Sequence, residues 1–103
     1  MTITDIIINE TCGSTGVSKE ELQSKTRRQL VVSTRMVVAM LMKEFTCMEI
    51  SEIGRWLGQN RTMAFYYLSQ GETRYSNEKG FSIAYDIAKK RVKDALTAEW
   101  FGA

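Results

Sequence analysis

Histidine and proline are absent from the 103 residues, and cysteine occurs only twice. Without histidine there is no Ser-His-Asp or Cys-His catalytic arrangement, and the commonest metal ligand is missing. Without proline, a chain this short leans towards helix. Cys12 and Cys47 are too few and too far apart for a disulfide framework or a zinc site. With no signal peptide in view, both read as reduced thiols of a cytoplasmic protein. No apolar run approaches the ~20 residues that span a bilayer, so no membrane partner is expected. No repeat or low-complexity tract appears. An excess of one charge is lacking too: 14 Lys plus Arg stand against 12 Asp plus Glu, a formal net charge of +2. The distribution of charge, not its total, has to identify a partner.

What is present suits one helical domain spanning 1–103, with 44% apolar and 25% charged residues. Met1 to Glu10 reads as a strand or as a short helix capped by Thr2 or Thr4. Ile3, Ile6 and Ile7, at i, i+3 and i+4, favour the helix. Gly13-Ser14-Thr15-Gly16 is expected to break it. Ser18 to Glu21 has the form of a capping box that starts a short helix anchored by Leu22. The clearest helix covers residues 33–45, where Thr34, Val37, Val38, Leu41 and Phe45 share a face and Met36, Met40 and Met42 widen it. This helix belongs at the centre of the fold.

Glu49 to Gly58 carries the stripe Ile50, Ile53, Trp56 and Leu57, and Gly58 is placed to end a helix in the left-handed conformation. Asn60 then caps a helix running from Arg61 to about Gln70. Two short helices joined through such a turn have the sequence form of a helix-turn-helix, at about residues 49–70. A last helix starts near Ser76 or Asn77. Phe81, Ala84, Ala88, Val92 and Ala95 form its core face, Ile83, Ile87 and Leu96 lie beside it, and Lys89, Lys90, Arg91 and Lys93 mostly face away. The expected fold is all-α, with about five to six helices.

Between Gln23 and Lys43 the chain carries Lys25, Arg27, Arg28, Arg35 and Lys43 and no acidic residue; Arg55 and Arg61 flank the turn. Clustered cations of this kind are the footprint of phosphate binding, although a solvated face has the same look. The second helix opens Asn60-Arg61-Thr62. These side chains suit base edges: Asn reaches adenine in two places, Arg does the same for guanine, and a Thr methyl meets that of thymine.

Taken together, Arg35 to Tyr66 resembles the C-terminal DNA-binding domain of the bacterial replication initiator DnaA. Lys43-Glu44-Phe45-Thr46, Glu52-Ile53-Gly54 and Leu57-Gly58 match that family's motifs in order. Ser24 to Arg28 resembles its basic loop, and the likeness covers about residues 1–96. The resemblance implies a Trp-repressor-like fold that recognises a short duplex box, with one helix in the major groove and a loop Arg in the minor groove. By position, Arg61 stands where the family has a base-contacting His, Thr62 matches its first Thr, and Tyr66 falls where another His nears the backbone. Lys43 matches a phosphate-contacting Lys, and Arg35 an Arg beside the minor groove. The departures fall on specificity positions. The turn is a residue shorter, Met63 replaces the second Thr, Thr34 replaces a Pro, and Ser33 occupies the main minor-groove Arg position. The family's ATPase module does not fit in 103 residues.

The resulting expectation is a cytoplasmic, nucleoid-associated regulator that binds double-stranded DNA selectively, with no cofactor and no enzymatic activity. Asn60, Arg61 and Thr62 would read the major groove. Lys25, Arg27, Arg28, Lys43, Arg55 and Tyr66 would meet phosphates, with Arg35 in or near the minor groove. The rival is a protein-interaction module whose adaptable surface is Met36, Met40, Met42, Met48 and Met63. Other signals have plainer readings. Gly13 to Lys19 fails the phosphate-loop spacing. Glu49 and Glu52 are first-turn carboxylates favoured by the helix dipole. Cys47 packs, without a His to activate it. Phe65 and one Tyr belong to the core, Tyr66 points outward, Trp56 is core and Trp100 packs the C-terminus.

Overall fold

The computed structural model describes residues 1–102. Among them there is no strand, and the order is α1 (Ile3–Thr15), α2 (Lys19–Leu22), α3 (Gln29–Phe45), α4 (Ile50–Trp56), α5 (Arg61–Asn77) and α6 (Lys79–Thr97), closed by a π-helical turn, Ala98–Gly102.

Local chemistry sets most of the boundaries. Thr2 and Asp5 form a reciprocal capping box at the start of α1, and Ser18 and Glu21 repeat it at α2. Helix α1 runs through Gly13 and ends at Gly16, whose φ is 79° and whose N–H donates to the Cys12 carbonyl. The break therefore comes at the second glycine. A glycine inside a helix costs only about 1 kcal/mol, and burial of Ile7, Ile8 and Thr11 holds the turn around Gly13. Helix α3 starts at Gln29, ahead of the expected residue 33, because Val31 is already in the core. Its N-cap, Arg28, makes no side-chain cap, so nothing local announces that start.

Helix α5 outruns its expected end by two turns. Its polar second half, GETRYSN, is held by Arg74, which donates to Ser33 Oγ at 2.8 Å, pairs with Glu78 at 3.0 Å and lies 4.6 Å over the Phe81 ring. Glu78 ends α5 and caps α6, which begins at Lys79 and not at Ser76 or Asn77.

Helix α3 is the hub and touches all five other α-helices. Val31, Val37, Val38, Leu41 and Met42 fill one core with Ile6, Ile7 and Ile8 from α1, Ile53 from α4, Leu68 from α5 and Val92 from α6. At about 25 cal/mol per Å² of apolar burial, this interdigitation is the main source of stability. Several expected packing partners lie outside the core. Ile83 and Ile87 are exposed because the Phe81–Tyr85–Ala88–Val92 stripe sets a phase that turns them to solvent. Trp100 is exposed, and Phe65 is 55% exposed. Three of the five α6 cations are engaged: Lys89 pairs with Glu44, Lys90 with Asp94 and Arg91 with Glu10. Among the described residues no helix is long and apolar enough to cross a membrane.

Candidate nucleic-acid interface

Leu57 to Asn60 joins α4 to α5. Gly58 adopts φ 66°, the left-handed conformation expected of it. A Cβ at this position would also run into the Gln23 carbonyl oxygen, so the turn needs glycine twice over. Asn60 Oδ1 accepts the Met63 N–H at 2.9 Å and caps α5. That bond occupies one of the two lone pairs of Oδ1, so the cap and a two-point contact with adenine would share one oxygen.

Residues 23–28 form the basic loop between α2 and α3, and side chains tie it to the turn. Gln23 Nε2 donates to the Trp56 carbonyl at 2.9 Å, Lys25 Nζ to that of Gly58 at 2.9 Å, and Gln59 Nε2 to that of Ser24 at 3.1 Å. Beneath the loop sits Arg35, 2% exposed. Its guanidinium donates to the carbonyls of Leu22 (2.8 Å), Thr26 (2.8 Å), Ser24 (2.6 Å) and Glu21 (3.3 Å), and to the Tyr67 hydroxyl (3.4 Å).

Arg35 thus departs from its expected place at the minor groove. A buried guanidinium is tolerable only when its donors are satisfied, and here they are spent on the loop. Position 35 falls in register with Val31, Val38, Ala39 and Met42, all buried. That periodicity was the available signal, and the charge masked it. Gln23, Gln59 and Tyr67 are further bracing residues that composition and motif did not single out.

The other expected contacts divide by place. Lys25, Arg27, Arg28, Arg55, Asn60, Arg61 and Thr62 are exposed, and Tyr66 is 46% exposed, edge-on to Tyr67 with ring centroids 5.9 Å apart. Lys25, Arg27, Gln59, Met63 and Tyr66 line one cleft of about 280 Å³ between the loop and α5. Arg28 pairs with Glu21 at 3.0 Å, which screens its charge. Among the described residues Lys25, Arg27, Arg55 and Arg61 meet no carboxylate. Lys43 is elsewhere, in a groove with Met40, Glu44, Leu68, Glu72 and Tyr85, and lies 3.8 Å from Glu72.

The methionine surface is not presented: Met36 and Met42 are buried, and Met40, Met48 and Met63 are half-buried against the core. Gly13 and Gly16 belong to α1 and its cap, so no loop is formed there to cradle a phosphate. Glu49 is the N-cap of α4 and Glu52 lies in its first turn. Burial raises the Cys12 thiol above its ordinary pKa, away from reactivity. Among the described residues no group of acidic or thiol side chains is arranged for a metal.

An all-α bundle in which a braced Gly turn sets one short helix against a longer, outward-facing one is a helix-turn-helix domain. The family model of the bacterial dnaA protein helix-turn-helix matches residues 4–70, more than half of the chain, and the chain belongs to that family. The match runs from α1 into α5 and stops before α6. No curated protein matches the chain.

Proposed function

We propose that this protein binds double-stranded DNA selectively, as a replication- or transcription-related regulator, with the start of α5 in the major groove and the basic loop on the adjacent backbone. What supports the reading is electrostatic. Lys89, Lys90 and Arg91, three of the five cations of α6, are paired with carboxylates, whereas Lys25, Arg27, Arg55 and Arg61, around the turn, are not. Unpaired cations gathered at one edge favour a polyanion. In this reading Asn60, Arg61 and Thr62 contact bases, with the Asn60 oxygen also serving the α5 cap. Arg27, Arg55, Lys25, Arg28 and Tyr66 position the phosphates, and Lys43, beside Glu72, adds a weaker contribution.

The test is duplex binding by fluorescence anisotropy at two salt concentrations, followed by selection from random duplexes. Binding that weakens with salt is expected. Arg61→Ala should cost roughly 1–3 kcal/mol at one base position, and Arg27→Ala should weaken all duplexes alike and lower the salt slope by about 1. Absence of salt-dependent binding at micromolar protein overturns the reading. Equal losses on selected and random duplexes for Arg61→Ala would remove its base-reading role.

A further inference from the structure

We infer that Phe65 is a specificity-determining residue that recognises the C5-methyl group of a pyrimidine in the major groove. The inference rests on the duplex-binding reading above. In α5 the buried side is Ala64, Tyr67, Leu68 and Gly71. The opposite side is Arg61, Thr62, Phe65, Tyr66 and Ser69, all exposed. Phe65 stands one turn beyond Arg61 and one turn before Ser69, at the middle of the face that a groove would receive.

A phenyl ring left 55% exposed there forgoes about half of the roughly 1.5–3 kcal/mol that burying it would contribute. It has no donor or acceptor, so among base edges it can meet only an apolar one. The major groove offers a single apolar group of that kind, the pyrimidine C5-methyl, carried by thymine and by 5-methylcytosine. Two neighbours favour a nucleic-acid occupant over an apolar protein surface. Arg61, one turn away, has no carboxylate partner among the described residues, and Tyr66 lines the cleft shared with Lys25 and Arg27. The Asn60 oxygen is shared with the α5 cap, and a methyl contact from the second turn would add to what the first turn reads.

The experiment crosses a protein change with a DNA change. Duplexes are selected with the full chain, and each thymine in the selected site is replaced by deoxyuridine, which removes only the methyl. Separately, each cytosine is methylated at C5. Both series are titrated against wild type and Phe65→Ala, with circular dichroism confirming the fold, since Ala is favourable at an exposed helix position. Wild type should lose roughly fourfold in affinity at one uracil position, or gain as much at one methylated cytosine. That factor is the ~0.8 kcal/mol of one buried methyl at 1.4 kcal/mol per tenfold. The first result assigns thymine and the second 5-methylcytosine. Phe65→Ala should bind more weakly and be indifferent to the methyl at that position. Methyl sensitivity that survives in Phe65→Ala, or no methyl-sensitive position in wild type, overturns the inference and leaves duplex binding intact. Failure of wild type to bind any duplex overturns both. Self-association that Phe65→Ala abolishes while methyl sensitivity persists would place a second copy on this ring and also overturn the inference.

Discussion

Arg35 of α3 and Tyr67 of α5 meet beneath the basic loop: the guanidinium donates to the tyrosine hydroxyl at 3.4 Å, and its shorter bonds go to loop and α2 carbonyls. One side chain thereby fixes the loop against the helix it must act beside. Replacing Arg35 by Met should lower unfolding stability by about 1–3 kcal/mol for each carbonyl that stays dry. It should also raise amide exchange across residues 22–27. Tyr67→Phe removes only the longest of these bonds and should cost less than about 1 kcal/mol. Urea unfolding of the two variants separates the clamp from the hydroxyl. Similar losses for both would show that the bond to the Tyr67 hydroxyl, not those to the carbonyls, holds the loop.

Gly58 and Gly16 both have positive φ, but their surroundings differ. Gly16 has open space around it, whereas Gly58 faces the Gln23 backbone. Gly16→Ala should cost about 1–2 kcal/mol, the strain of a left-handed L-residue. Gly58→Ala adds a collision with the backbone and should cost about 1–3 kcal/mol more. Thermal melts of the pair give the difference directly.

Asn60 serves folding before it serves recognition. Asn60→Ala should lose about 1 kcal/mol of stability with the cap. Asn60→Asp keeps an acceptor for Met63 N–H and should retain stability. Its negative charge beside Arg61 should nonetheless weaken duplex binding roughly tenfold at low salt. A denaturation curve and a titration on the same sample distinguish the two roles. An Asp variant that binds as well as wild type would take the turn out of the DNA contact.

Glu44 accepts from Lys89 Nζ at 2.7 Å and from the Tyr85 hydroxyl at 3.1 Å. The Lys89 bond first, and the Tyr85 bond with it, hold the carboxyl below its ordinary pKa. Burial and the same carboxylate push the Tyr85 hydroxyl up, so it remains a donor. For an acid whose folded pKa is depressed, the stabilisation is fully present above the unfolded value of about 4.3 and fades as pH falls through the folded one. Glu44→Gln should therefore lower Tm by a few °C at pH 7 and by almost nothing near pH 3, the size being limited by solvent exposure of the pair. Equal effects at both pH values would contradict the ionic origin.

Local signals carried much of the architecture. The capping box at Ser18, the left-handed Gly58 and the Asn60 cap depend on residues close together in the chain, so sequence alone announced them; the box between Thr2 and Asp5 settles a start that the sequence left between Thr2 and Thr4. Where no such signal exists, contacts between distant residues set the boundaries. The start of α3 lacks a side-chain cap, and the second half of α5 is a polar run that is helical because Arg74 reaches Ser33 and Phe81. Phe65 and Tyr67 are both aromatic on one helix, and only packing against α3 and α4 decides which turns inward.

The sequence by itself determined an all-α chain, its Gly turn, the basic loop and its membership of a helix-turn-helix family, because each depends on residue type and short-range spacing. The tertiary structure decided what the charges and rings are for. Arg35 lies in the same basic stretch as Arg27, yet it is buried and spent on carbonyls while Arg27 stays in solvent. Burial is settled by contacts between residues distant in the chain, and a guanidinium removed from water must satisfy its donors within the protein.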